Sequence, residues 1–116
     1  MDALFAQAGV LRAGTIDELF ALAALLGEQP LPAGRRVAIL TNAGGPGILC
    51  ADACQAEGLE VATLSDAARA ALAAELPPAA STANPVDVLA AVGPEAYRRC
   101  VEILLAAPEV DALIAL

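Results

Sequence analysis

Four apolar residues in succession, Val37-Ala38-Ile39-Leu40, run directly into the turn Thr41-Asn42-Ala43-Gly44-Gly45-Pro46-Gly47. A continuous apolar run bounded by charged and turn residues is the pattern of a strand buried on both faces, and such strands belong to parallel sheets with helices on each side. Pro46 suits the first position of a helix, where its missing N–H is not needed. The spacing therefore predicts a helix from about Pro46 to Glu57, with Gly58 as its C-terminal cap. A second strand follows from about Leu59 to Leu64, and Ser65 caps a helix from Asp66 to about Leu76 that Pro77-Pro78 stops.

Further on, a loop carries Ser81-Thr82-Ala83-Asn84-Pro85-Val86-Asp87. Pro94 opens the next helix, to about Ala106, and Ala112 to Leu116 reads as a third buried strand. The order strand–helix–strand–helix–helix–strand implies a parallel α/β sheet. Upstream, Asp2 to about Gln7 reads as a helix end terminated by Gly9. Thr15-Ile16-Asp17-Glu18 is a capping box. The helix it opens carries Ile16, Leu19, Phe20, Ala23 and Leu26 at helical spacing, with Gly27 as its expected end. Pro30-Leu31-Pro32-Ala33-Gly34 is a stiff connector, and a domain boundary is expected there: residues 1–34 on one side, 35–116 on the other. Both ends of the chain are expected to be truncated, because it begins in a helix and stops in an apolar strand.

Composition limits the partners. Hydrophobic types make up 59% of the 116 residues and aromatics only 3%, so the core is built from Ala, Leu, Val and Ile. Such small side chains suit tight helix-on-sheet packing and leave apolar faces, through which oligomerisation or domain docking is expected. A net charge of −8 excludes the basic patch that nucleic-acid binding requires. Arg35-Arg36 and Arg98-Arg99 supply four of the six basic residues and are read as a solvated rim. No run of eighteen apolar residues offers a membrane span, so a soluble protein is expected. Cys50, Cys54 and Cys100 have no disulfide-framework spacing, and Cys50 and Cys54 share one helix face as small hydrophobes. That usage fits a reducing cytoplasm. With no histidine present, no metal site is expected.

The Gly-rich turn is the sharpest chemical feature. Gly44, Gly45 and Gly47 let a ligand approach the backbone. The helix N-terminus behind them offers free N–H groups and partial positive charge to an anion. Thr41 and Asn42 are candidate side-chain donors, and no acid occurs from Thr41 through Ala51 to repel a phosphate. The competing reading is that the glycines serve helix–sheet packing alone. A P-loop is excluded because the turn has no lysine, and a dinucleotide fingerprint fails where Cys50 replaces the third glycine. Asn84, Pro85 and Asp87 form a stiff loop expected to lie beside the turn and shape the site, with Asp87 open between a structural cap and a ligand. Without histidine, neither Ser81 nor Cys50 has a general base, so no catalytic residue is expected.

The stretch Arg36 through Gly47, followed by Ala51-Asp52-Ala53-Cys54 and Gly58-Leu59-Glu60, resembles the NDP-forming acyl-CoA synthetases. These include ADP-forming acetyl-CoA synthetase, succinyl-CoA synthetase relatives and synthetase-like regions fused to protein acetyltransferases. Pro77 through Ser81, Asn84-Pro85-Val86-Asp87 and Val110-Asp111-Ala112 fit in the same order. So do Phe5 through Val10 and Asp17 through Phe20. The resemblance implies a flavodoxin-like, succinyl-CoA-synthetase-type three-layer parallel sheet over residues 35–116, with residues 1–34 as the tail of the preceding module. It also implies part of an enzyme that converts acid, CoA and NTP into acyl-CoA, NDP and phosphate through a phosphohistidine. The turn from Thr41 through Gly47 then corresponds to a helix that cradles the phosphohistidine, whose histidine this chain lacks. CoA, ATP or ADP, and Mg are implied for the full-length enzyme, with none held tightly by this chain. The implied partners are a CoA-binding, a phosphohistidine and an ATP-grasp domain. A non-catalytic, regulatory scaffold is the alternative, with a dinucleotide-binding domain behind it.

Overall fold

The structure, a computed structural model, describes residues 2–116 and divides into two compact units, one reaching Leu31 and the other spanning Pro32–Leu116. In the first unit, helix α1 (Asp2–Gln7) ends at Gly9, whose φ of +69° turns the chain left-handed. The Gly9 N–H donates to Ala6 O and the Val10 N–H to Phe5 O, which satisfies the helix's last carbonyls. Helix α2 (Ile16–Glu28) starts at Thr15, whose hydroxyl accepts from the Glu18 N–H at 3.1 Å. The Glu18 carboxylate reaches one residue beyond the expected box and accepts from the Gly14 N–H at 2.6 Å. Gly27 does not end the helix; it lies inside α2, which closes at Gln29 in extended backbone. Within a turn already held by its neighbours, glycine lowers helix propensity without being a stop.

The second unit is built on strand β1 (Arg36–Thr41). Helix α3 (Gly44–Ala56), strand β2 (Glu60–Val61), helix α4 (Asp66–Glu75), strand β3 (Val86–Asp87), helix α5 (Pro94–Ala106) and strand β4 (Ala112–Ala115) follow in order. All three shorter strands pair with β1 in parallel. β4 runs along one edge, from Val37↔Ala112 to Leu40↔Ala115. β2 and β3 share the other edge in succession, with Arg36↔Glu60 and Val37↔Val61 followed by Leu40↔Val86 and Thr41↔Asp87. The backbone bonds alternate accordingly: the carbonyls of Arg35, Val37 and Thr41 accept from β2 and β3 residues or their neighbours, and those of Arg36 and Leu40 accept on the β4 side.

In place of one strand over Leu59–Leu64 and a loop at Val86–Asp87, the structure has two short strands, with the Asn84 side chain filling the gap between them. Its Oδ1 accepts from the Ile39 N–H, and its Nδ2 donates to both Val37 O and Ala62 O, each at 2.9 Å. A side-chain amide thus supplies the pairing where β2 has left β1 and β3 has not yet arrived, so the buried Ile39 N–H is not orphaned.

Alternation along β1 divides the core. Val37 and Ile39 pack with Cys54 under α3. Ala38 and Leu40 pack with Leu72, Leu76, Cys100 and Leu104 of α4 and α5, together with Val86 and Val88. All four β1 side chains are buried, so this is the three-layer arrangement predicted from the apolar run. At its amino end β1 is clamped by charge. The Arg36 guanidinium donates to the Asp111 carboxylate at 2.9 and 2.7 Å and to Pro108 O at 3.2 Å, and the Arg36 backbone N–H reaches the same carboxylate. Arg36 is therefore a strand anchor and not merely a solvated rim residue. Its hydrogen bonds hold the Asp111 carboxyl at about 2, well below the ordinary aspartate value. Arg99 likewise pairs with Glu75, joining α5 to α4.

Candidate functional site

The carboxyl end of β1 has the opposite character. Thr41, its last residue, is buried, and its hydroxyl is committed to the turn, donating to Ala43 O at 2.8 Å and accepting from the Ala43 N–H at 3.1 Å. It is therefore unavailable as the extra donor expected of it. The chain enters α3 from Ala43 in extended backbone with no side-chain cap. Helix begins at Gly44, two residues before the predicted start, so Pro46 occupies the third helical position. Proline is tolerated throughout the first turn, because no N–H there has an intrahelical acceptor. Gly47 is the first residue to close the helix, donating to Ala43 O at 3.4 Å.

In the first turn of α3, two amides are left over. The N–H groups of Gly44 and Gly45 have no acceptor among the described residues, and both residues are exposed together with Asn42. The three glycines serve different ends. A Cβ on Gly47 would lie 2.8 Å from Thr41 Cγ2, so Gly47 answers to helix–strand packing. A Cβ on Gly45 would meet nothing within 4 Å, so its side is open to a ligand. A Cβ on Gly44 would lie 3.2 Å from Asp87 Oδ2. The packing and phosphate readings of the turn thus apply to different residues.

Asp87 changes the electrostatics. The stretch Thr41–Ala51 has no acid of its own, but β3 pairing sets Asp87 opposite Thr41 and brings its carboxylate against Gly44. The expectation that nothing local repels an anion is corrected by tertiary structure. Asp87 Oδ1 also accepts from the Leu89 N–H at 3.0 Å, which supports the left-handed turn at Leu89, φ +69°. Pro85 lies against Gly47, its Cβ 3.5 Å from the position a Gly47 Cβ would take. Asn84, behind an Asn84–Pro85 peptide that is cis, is spent on the sheet and offers neither of its N–H donors to a ligand. The loop therefore lies beside the turn, with Asp87 and Pro85 at the turn and Asn84 holding the strands. No group of three or more His, Cys, Asp or Glu residues that could hold a metal occurs among the described residues. Nor is any helix among them long and apolar enough to cross a membrane.

Two participants were missed from sequence. Tyr97 of α5 donates its hydroxyl to Leu116 O at 3.0 Å near the end of β4, and burial raises its pKa. Asp111 was noted only as part of a family pattern. Its partner was legible in principle, since Arg36 and Asp111 each immediately precede an apolar run and adjacent parallel strands bring such positions together.

Residues 37–116 match the profile of the Ligase-CoA domain. The chain belongs to this family. The match takes in the turn and the loop whose residues resemble the NDP-forming acyl-CoA synthetases. The alpha subunit of acetate–CoA ligase (ADP-forming) II from Pyrococcus furiosus is 49% identical over 115 residues, 99% of this chain and 25% of that protein. A crystal structure of a Pyrococcus horikoshii protein superposes with a TM-score of 0.90 at 49% identity, over 98% of this chain and 26% of that one. A Ca. Korarchaeum cryptofilum acetyl-coenzyme A synthetase 1, described as a complex with phosphate and ADP, superposes with a TM-score of 0.89 at 30% identity, over 98% and 25% of the two chains. This Ligase-CoA chain thus spans about a quarter of the length of each of these three relatives.

Proposed function

We infer that this chain is the Ligase-CoA portion of an ADP-forming acyl-CoA synthetase, and that the open end of α3 receives a phosphoryl group presented on a histidine from another part of the enzyme. The observation that carries this reading is the pair of free amides of Gly44 and Gly45 at the start of a 13-residue helix, at the carboxyl end of the central strand. Carboxyl ends of parallel strands are where ligands of such sheets bind. A helix N-terminus stabilises an anion by ~0.3–1 kcal/mol when exposed and up to ~2 kcal/mol when partly buried. Modest holding suits a transient phosphoenzyme, since binding the intermediate too firmly would slow its transfer.

Asp87 sharpens the identity of the guest. A free phosphate at Gly44 and Gly45 meets the Asp87 carboxylate and is opposed by it. A phosphorylated imidazole brings a ring N–H that the carboxylate can accept, so the same acid favours the phosphohistidine over the bare anion. In this reading residues 35–116 are the succinyl-CoA-synthetase-type domain and residues 1–34 the tail of the module before it. CoA, ATP or ADP and Mg are held by a CoA-binding and an ATP-grasp domain, and the assembled enzyme works in the cytoplasm.

Titration of the 116-residue chain with phosphate, followed by amide chemical shifts, tests the cradle. The Gly44 and Gly45 amides are expected to move together with a millimolar midpoint, while Gly47, already bonded, moves less. Shifts elsewhere with Gly44 and Gly45 silent would exclude the site.

A further inference from the structure

Helix α3 carries two thiols that the proposed function does not use. Cys50 and Cys54 are one turn apart on the face that packs on the sheet, Cys54 buried against Val37 and Ile39 and Cys50 partly exposed beside it. Both are free. Residues four apart on a helix have Cβ atoms about 5–6 Å apart. A direct disulfide needs them near ~3.8 Å, which a regular helical turn does not allow. One atom bound to both sulfurs, with bonds of about 2.3 Å as in zinc thiolates, fits the spacing without unwinding the helix. A third ligand is lacking, because no group of three metal-binding side chains exists among the described residues, so a tetrahedral zinc site is ruled out.

We propose that Cys50 and Cys54 form a two-sulfur site for a soft, thiophilic centre of low coordination number, with trivalent arsenic as its best-fitting representative. Soft thiolates select such centres over harder cations. Burial, and then the neighbouring Cys54 thiol, push the Cys50 thiol up, so Cys50 is a poor nucleophile toward ordinary alkylating agents. The reaction with an arsenoxide is balanced without a redox step. Two S–H bonds and the As–O bonding are exchanged for two As–S bonds, the oxygen leaves as water, and arsenic remains trivalent.

Phenylarsine oxide added to the folded 116-residue chain, with native mass spectrometry as readout, decides the matter. One adduct per chain is expected, stable to excess glutathione and removed by the dithiol 2,3-dimercaptopropanol. Cys100, buried on the other side of the sheet, takes no part, so Cys100→Ala keeps the adduct. Cys50→Ser, at a partly exposed position that leaves the fold intact by circular dichroism, abolishes it, as does Cys54→Ala. Absence of an adduct, its survival in Cys50→Ser, or its formation only in denaturant overturns the site.

Discussion

The two ends of β1 are built on opposite principles. At the amino end the Arg36 charge is answered: Arg36 and Asp111 meet in a two-pronged pair, the carboxylate also takes the Arg36 backbone N–H, and a Cβ at Gly34 would collide with it. At the carboxyl end the turn stops short of satisfaction. Thr41 closes on Ala43, Gly47 closes the first helical bond, and the amides of Gly44 and Gly45 between them are left open beside Asp87. One strand carries both ends, so local sequence quality does not explain the contrast. Saturated polar groups stabilise a fold, and unsaturated ones are tolerated where solvent or a ligand can complete them.

Substitution of Asn84 removes the frame that both ends share. Asn84→Ala strips pairing from the Ile39 N–H of β1 and from Ala62 O just after β2, while Val37 O keeps its bond from the Ala62 N–H. With each buried unsatisfied group costing ~1–3 kcal/mol, a loss of at least about 2 kcal/mol is expected, read as a lower urea midpoint. A midpoint within experimental scatter of the parent would show that the amide is dispensable.

Gly45→Asp acts on the open end alone. The site has room for a side chain, and an acid in the first turn favours the helix, so folding is expected to hold or improve. In the full-length enzyme phosphoryl transfer should nonetheless fall about 100-fold, the scale of losing one anion-stabilising donor. A folded variant with near-parental transfer would exclude a phosphoryl role for this turn.

Asp87→Asn sharpens the contrast from the other direction. Removing a negative charge some ~4 Å from a bound anion is worth roughly 1 kcal/mol at the dielectric of water. Phosphate affinity of the isolated chain is therefore expected to rise about fivefold, read from the same amide shifts. Unchanged or weaker binding would show that Asp87 does not face the anion.

The closed end responds to pH. The folded Asp111 carboxyl lies at about 2, below its ordinary value of 3.8. A group whose folded pKa is depressed contributes stability that is complete above the unfolded value and lost as pH falls through the folded one. Acid unfolding monitored between about pH 4 and 2 should accordingly be shallower in Asp111→Asn than in the parent, with phosphate binding at neutral pH unaffected. Identical acid limbs would locate the acid sensitivity elsewhere.

Much of the fold was legible because it is encoded locally. Val37 through Leu40 is apolar at every position, which only a two-faced burial accommodates, and Gly58 marks the end of α3 with a left-handed φ of +75°. Ser65 accepts from the Ala68 N–H as its place before a helical pattern predicted. β3 escaped notice because two residues following a proline carry no periodicity. The divided edge of β1 was equally invisible, since nothing near Asn84 indicates that its amide will substitute for a strand.

By itself the sequence determined the layered class, the family and the turn, because hydrophobic period, glycine placement and helix caps act over a few neighbouring residues. Tertiary structure alone decided which polar groups remain free. Thr41 looked like a donor until its hydroxyl closed on Ala43, and the turn looked free of acids until β3 pairing delivered Asp87 to Gly44. Hydrogen-bond satisfaction and local charge depend on what the chain brings back from far along its length, and short-range pattern carries no record of that.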